Sequence, residues 1–336
     1  MEIKASIIIL TYNQAATIGR AIESVLRQRP PYPYEIIIAD DNSTDRTREI
    51  AESYAAQHPS IIRILPRHQN LGLVGNYFHA LSQCRGEYIG DCAGDDEWLD
   101  ETRMARQIEI LDSDPGISVV FTDVEEYRID SDGNLTSDLH SSNPQRKRWM
   151  RPRIPGREIL LATLNHTTSL PLTLSAALYR KSIIEHQLRI SPHTVKMEEM
   201  KIEDVPIIAA LANAGDASFL PAIGYRYYIA GESISNNLSY EKEFDFCIRD
   251  TRGTAILARH YGIDQSKLHS HYSTKLSHAA AQLRHARRPD LIPCLIATAR
   301  DYWHTSLPLR ARIHLLLLRL LSRFPNIINH RRRDKV

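Results

Sequence analysis

The sequence predicts an α/β fold, a mostly parallel sheet with helices on both faces, followed by a helical C-terminal extension. Three observations predict it. Short β-branched runs alternate with amphipathic helical stretches in the N-terminal part of the chain. The runs are apolar without alternation, the mark of strands buried on both faces. Beyond residue 240 strand signals stop and the pattern becomes helical, rich in His and Arg. The expected division is therefore 1–240 for the α/β body and 241–336 for the helical region.

Ala5-Ser-Ile-Ile-Ile-Leu10 reads as the first strand. Asn13 is an N-cap candidate for the next helix, whose Ile18, Ile22, Val25 and Leu26 form one apolar stripe. Arg29-Pro-Pro-Tyr-Pro-Tyr34 cannot continue a helix. Glu35-Ile-Ile-Ile-Ala39 is the second strand. It runs into Asp40-Asp41-Asn42-Ser43-Thr44-Asp45, a loop of capping residues before a helix to about Gln57. Ile61–Leu65 is the third strand, and the helix after Gln69–Leu73 ends near Cys84. Arg85-Gly86 turns the chain into Glu87–Cys92, followed by Ala93-Gly-Asp-Asp-Glu-Trp98. Residues 100–112 read as a helix and Ile117–Thr122 as a strand. Polar residues from Asp130 to Arg153 read as a mobile loop. A strand at Thr173–Tyr179 and a helix over Glu203–Ala214 complete the body.

Ligands of such sheets sit beyond the carboxyl ends of the strands. Those ends carry Thr11-Tyr12-Asn13, Asp40-Asp41 and Asp95-Asp96, so three polar clusters meet along one edge. Strand-terminal Asp pairs are costly without partners. Capping accounts for one such residue. Two pairs together suit a Mg²⁺ or Mn²⁺ ion and a diphosphate. Glu203-Asp204 suits either the helix dipole or a general base.

Composition excludes several classes. The chain has 336 residues, 43% apolar and 24% charged, an ordinary globular mixture. Its net charge of +2 is unevenly spread. From Arg287 onward there are 11 Lys/Arg against 3 Asp/Glu, a net +8, which leaves 31 against 37, or −6, for the rest. A slightly acidic body argues against a nucleic-acid partner and for one end drawn to something anionic. Cys84, Cys92, Cys247 and Cys294 are scattered, which fits a reducing cytosol. Met-Glu-Ile-Lys enters a strand pattern at once, so no secretion leader is read and a cytoplasmic placement is expected. His271, His278 and His285 share a helix face, for which packing outweighs a metal stripe. In the run Leu307–Phe324, Arg310, Arg312, Arg319 and Arg323 interrupt the leucines, so it is too charged to span a membrane. Followed by His330-Arg-Arg-Arg333, it suits either an anionic membrane interface or packing on the body.

These motifs, in this order, resemble the family 2 nucleotide-sugar glycosyltransferases with the Rossmann-like GT-A fold, over about residues 3–240. Ser6-Ile-Ile-Ile-Leu-Thr-Tyr-Asn13 resembles the first strand of that family. Glu35-Ile-Ile-Ile-Ala-Asp-Asp-Asn-Ser-Thr-Asp-Arg-Thr47 resembles its nucleotide signature, and Asn70-Leu-Gly72 with Asn76 its third donor-site loop. Gly94-Asp-Asp-Glu-Trp98 resembles its D-x-D region, and Glu203-Asp204 its acidic pair. Ile223-Gly-Tyr-Arg226-Tyr-Tyr228, ending at Ser233-Ile-Ser235, resembles the segment that closes over the diphosphate.

The resemblance implies an inverting transfer from a nucleotide-diphospho-sugar, a UDP-sugar above others, to a hydroxyl of a glycan or lipid-linked acceptor in cell-surface polysaccharide assembly. It implies that Thr11, Tyr12, Asn13, Asp40, Asp41, Asn70, Asn76 and Arg226 bind donor and that Asp96 faces the sugar. Asp95 would hold a divalent cation, and Asp204, with Glu203 second, would be the base. Two positions depart: Ala93 stands where the family has an acid, and Tyr228 where it often has a His. The competing reading is a non-catalytic nucleotide-sugar-binding protein on the same fold. A dinucleotide oxidoreductase is disfavoured, because Thr11-Tyr-Asn-Gln14 stands where G-x-G-x-x-G belongs.

Overall fold

The computed structural model describes residues 2–66, 69–129, 135–138, 149–166, 173–197, 199–229 and 239–323. They fall into two compact units, Met1–Gly231 and Glu232–Val336.

In the first unit the strands are β1 (Ala5–Thr11), β2 (Tyr34–Asp40), β3 (Ile62–Ile64), β4 (Tyr88–Asp91), β5 (Glu97–Trp98), β6 (Ile117–Ile129), β7 (Leu135–Asp138), β8 (Ala177–Arg180) and β9 (Asp216–Ile229). The helices are α1 (Ile18–Leu26), α2 (Thr47–Gln57), α3 (Gly72–Gln83), α4 (Arg103–Ser113), α5 (Gly156–Leu164), α6 (Lys181–Ile190), α7 (Pro192–Val195) and α8 (Asp204–Ala214). The sheet order is β3-β2-β1-β4-β8-β6-β9-β5, with β7 beside β6. The quartet β3-β2-β1-β4 is parallel throughout. Its strands are apolar on both faces, with Ile7, Ile8, Ile9, Ile36, Ile37 and Ile38 fully buried.

The other half mixes directions. β8 runs antiparallel to β4 and β6, while β6 and β9 pair in parallel over their whole length. That pairing extends β6 well past Thr122, where the local pattern ended. Three expectations change. The run Thr173–Tyr179 is split: Leu174–Ala176 form a 3₁₀ turn because the Thr173 side chain accepts from Ser175 N, and the strand starts at Ala177. Within the expected loop 130–153, Leu135–Asp138 is a strand; 130–134 and 139–148 lie outside the described residues. Asn13 does not cap α1, whose N-cap is Thr17.

The second unit holds α9 (Tyr240–His260), α10 (His269–Ala286), α11 (Ile292–Ala297) and α12 (Leu309–Arg323). His271 approaches Asp250 (3.6 Å), His278 pairs with Glu243 (2.8 Å) and His285 stacks on Tyr240 at 5.2 Å. The shared histidine face thus packs α10 on α9. His330–Arg333 lies outside the described residues.

One buried cation ties the mixed half of the sheet together. Arg103 has no exposed surface. It donates to Gly224 O (3.2 Å), to Ser175 O (3.0 Å) and to Gln107 Oε1 (3.2 Å). Its guanidinium lies 3.9 Å from the Trp98 ring centroid. Burial pulls its pKa down to about 10, so it stays charged at neutral pH. A single side chain thereby fixes α4, β5, β9 and the 3₁₀ turn. Arg103→Ala leaves buried carbonyls without a donor and opens a cavity. It should lower the unfolding free energy by about 3–5 kcal/mol in urea titration; a loss under about 1 kcal/mol would remove Arg103 from this role.

Candidate active site

The carboxyl ends of β1 and β2 are stitched together by side chains that the sequence places there for other reasons. Asp41 N donates to Thr11 O (2.9 Å). Asn13 takes a positive φ of 53°, which Asn tolerates better than most residues. This turns its amide N toward Ser43 Oγ (2.9 Å), while its Oδ1 accepts from Thr44 N (2.8 Å). Gln14 N and Ala15 N donate to Thr47 Oγ1 and Asp45 Oδ2. The two loops are one hydrogen-bonded body, with the Tyr12 ring half exposed above it.

Asp40 and Asp41 are both buried but differ in what they hold. Asp40 Oδ1 accepts from the amide and hydroxyl of Ser43, while its Oδ2 is buried without a hydrogen-bond partner. Asp41 Oδ1 accepts from Leu71 N (2.7 Å), and its carbonyl accepts from Asn70 Nδ2 (3.0 Å). Asn76 is buried and donates to Ala39 O (2.8 Å). Asn70 and Asn76 therefore hold the backbone around Asp40 and Asp41.

The loop after β4 sits against the same body. A Cβ on Gly94 would lie 2.3 Å from Gln14 Oε1 and 2.9 Å from Thr11 Oγ1, so only glycine allows this approach. Thr11 Oγ1 is itself buried and unpartnered. Asp95 and Asp96 follow. Burial raises Asp95 above its ordinary range, against the pull of Gln14 and Arg20. Burial and then the Asp95 charge push Asp96 up much further, against Ser175, Tyr228 N–H and Arg20. Asp96 Oδ1 has no partner.

Glu203 and Asp204 open α8, and both are half-buried. Asp204 Oδ1 accepts from Leu174 N (3.2 Å). Burial raises Asp204 to about 6, with the Leu174 amide and Thr173 opposing. Burial and the Asp204 charge raise Glu203 still more, and its Oε2 is unpartnered. Of this pair Asp204 ionises first, because the Leu174 amide and Thr173 favour its charged form while the Asp204 charge pushes Glu203 up further.

Sequence reasoning missed a third acid. Asp91, read only as part of a strand, is buried beside the Tyr77 and Tyr179 hydroxyls, which bond each other; Tyr77 Oη lies 3.5 Å from its Oδ2. Burial and then Asp204 raise it well above the ordinary carboxylate range. A polar residue inside a buried parallel strand was the available signal.

Arg20 was missed as well; it stands between Ile18 and Ile22 in α1. It donates to Asp95 O (2.8 Å) and lies 3.9 Å from the Tyr228 ring centroid. Tyr228 in turn donates its hydroxyl to Glu97 Oε2 (3.1 Å). Arg226 is held by Glu125 (2.9 Å) and Glu97 (3.4 Å). Burial opposes its charge, but Tyr228 and Glu125 outweigh that and raise its pKa. Ser233–Ser235 lies outside the described residues.

The family model of Glycosyl transferase family 2 matches residues 6–186. An uncharacterized protein of Mycobacterium tuberculosis, Rv1520, is 41% identical over 116 residues, 34% of each chain. The matched part thus spans about a third of the length of the first curated relatives. Among solved structures, S. aureus TarS 1–349 in complex with UDP-GlcNAc matches with a TM-score of 0.54 at 16% identity, over 96% of this chain and 92% of that one. Mannosyltransferase PcManGT from Pyrobaculum calidifontis, in complex with GDP-Man and Mn²⁺, matches with 0.51 at 17%, over 97% and 88%. Both likenesses show the GT-A fold.

The raised carboxyls carry a signed consequence. Asp91, Asp95, Asp96, Glu203 and Asp204 hold protons more tightly folded than unfolded. Their stabilising contribution is complete below the unfolded value near 4 and is lost as pH rises through the folded values, about 6 for Asp204. Carboxylates lowered by partners, such as Glu35 and Asp216, act in the opposite sense and only in more acidic solution. The melting temperature should therefore fall by several °C between about pH 5 and pH 8, by differential scanning fluorimetry. Asp204→Asn should flatten that fall, and an unchanged slope would contradict the assignment.

Proposed function

Because the chain belongs to glycosyl transferase family 2, we propose that it transfers a sugar, with inversion, from a nucleotide-diphospho-sugar to a hydroxyl acceptor. The carrying observation is that Asp40, at the end of β2, and Asp96, in the loop after β4, each keep a buried carboxylate oxygen that no protein group satisfies (Asp40 Oδ2 and Asp96 Oδ1). Buried polar atoms left unpaired in a folded protein point to a ligand or water that pairs them. The likeness to TarS suggests a UDP-sugar, and Asp40 Oδ2 is an acceptor suited to the imide N–H of uracil. Tyr12 offers a ring face to the base, and Thr11, Asn13 and Asp41 line the nucleoside. Asn70 and Asn76 act by holding the Asp40–Asp41 backbone. We read the acceptor as a glycan or a lipid-linked sugar in cell-surface polysaccharide assembly, and the +8 C-terminal stretch supports a peripheral position on the inner membrane face.

A divalent cation fits the residues around Asp95. The donor set is oxygen only, the choice of Mg²⁺ and Mn²⁺, and Asp96 Oδ1 is buried without a partner. Such a cation, when bound, neutralises the diphosphate as leaving group. The Ala93 side chain offers no oxygen and the Tyr228 hydroxyl is engaged by Glu97, so a cation would be held by Asp95, with Asp96 as the neighbouring acid. Arg226 is already charge-balanced by Glu97 and Glu125, so it meets a diphosphate as part of that triad.

The chemistry follows from the proton inventory. Burial raises Glu203 and Asp91 well above the ordinary carboxylate range and Asp204 to about 6, so Asp204 is the member of the cluster that ionises most readily. Asp204 accepts the acceptor hydroxyl's proton as that oxygen attacks the anomeric carbon opposite the leaving diphosphate. Thr173 and Leu174 N–H hold its carboxylate in place, so attack is a matter of positioning. Asp96 faces the sugar.

This reading is favoured over a non-catalytic binding protein because Asp204 and the ligand-facing Asp40, Asp95 and Asp96 are present, although Ala93 replaces one acid. A nucleotide-sugar panel read by mass spectrometry tests it: transfer or hydrolysis of at least one donor is expected, and none would leave a binding protein. Asp204→Asn should cut turnover by about 10²–10⁴ while UDP affinity changes little. The acid limb of kcat/KM in the parent should lie near pH 6, because the base works ionised. Retained turnover in Asp204→Asn would move the base elsewhere.

A further inference from the structure

We infer that the outer face of α12 is a docking surface for an anionic lipid bilayer. α12 has two apolar faces. Ala311, Leu315 and Leu318 are buried, and the helix packs on α10. On the opposite side Leu309 (66% exposed), Ile313 (48%), Leu316 (59%), Leu317 (39%) and Leu320 (45%) face outward. At about 100° per residue these five form one stripe roughly 100° wide, centred opposite the buried face. Such a contiguous aliphatic surface is rare on a protein that leaves it in water.

The charges beside the stripe select its occupant. Exposed Arg312 and Arg319 line one border and Arg310 the other. Between Asp301 and Asp334 there is no Asp or Glu. Arginine stems cover apolar surface while their heads reach phosphates. A stripe of this width with cationic borders lies flat at the headgroup–acyl boundary. No helix among the described residues is long and apolar enough to cross a membrane, so contact is with the surface. A second copy is the poorer occupant, because two such faces brought together oppose arginine to arginine.

The patch continues past the helix. A groove of about 590 Å³ is lined by Pro289, Ile292, Pro293 and Ile296 with Arg300 and Arg319. Ile296 is 42% exposed there. Arg319 borders both the groove and the stripe, so aliphatic surface and guanidinium heads form one field.

The inference deepens the membrane placement proposed above and is tested apart from catalysis. The full chain is sedimented with phosphatidylcholine vesicles, with and without phosphatidylglycerol, and UDP binding is measured in parallel. Binding should require phosphatidylglycerol and weaken as salt rises. Leu316→Glu/Leu320→Glu and Arg312→Gln/Arg319→Gln should each weaken it roughly tenfold or more, with unchanged melting curves and unchanged UDP affinity. Equal partition of parent and variants, or equal partition onto neutral vesicles, overturns the proposal. So does a dimer in light scattering that Leu316→Glu/Leu320→Glu converts to monomer, which assigns the face to a second copy. Loss of UDP binding in every form, with lipid binding intact, would count against the transferase reading alone.

Discussion

Like-charge crowding at the carboxyl edge of the sheet is the constraint on which the rest depends. Asp91, Asp95, Asp96, Glu203 and Asp204 come from two distant stretches of chain and are crowded with little cationic relief; Arg103 acts on Asp91, and Arg20, beside Asp95 and Asp96, donates to a backbone carbonyl there. Burying several ionised carboxylates together costs more than a fold of this size readily offsets. Burial raises every one of these carboxyls, Asp91, Asp96 and Glu203 well above the ordinary range, while Asp204, which receives the Leu174 amide, is raised to about 6.

The frame around the cluster absorbs the strain. Arg103 pins the strand and the turn that face Asp96 and Asp204, and it does so with its charge buried and its donors satisfied. Gly94 lets the acidic loop approach Thr11 and Gln14. Asn13 and Asn42 turn the chain through left-handed backbone at the two loops that meet there. Each is a local conformation that only a few residue types adopt, placed where the polar clusters converge.

Much of this was legible in the sequence. The parallel quartet was readable because continuous Ile runs have no other good use than a strand buried on both faces. The polar strand ends were readable because the sheet's direction fixes which ends converge. What the sequence did not reveal is pairwise. Nothing local distinguishes Arg103 from a surface arginine on an amphipathic helix, or Arg226 as already held by Glu97 and Glu125. The turn at Leu174–Ala176 was missed because Thr173 overrides a β-like composition with one hydrogen bond. The two apolar faces of α12 could be counted on a helical wheel, but which of them is covered is a tertiary fact.

We propose that the crowded acids form a site for a cation and a nucleoside diphosphate. The most direct measurement is calorimetric titration of UDP with Mn²⁺ near pH 6, in two buffers of different ionisation enthalpy. If Asp95 and Asp96 hold protons until the ligand arrives, binding releases protons to the buffer, and Asp95→Asn/Asp96→Asn abolishes that release and weakens binding. Absence of binding, or the same proton release in the double variant, would contradict the account.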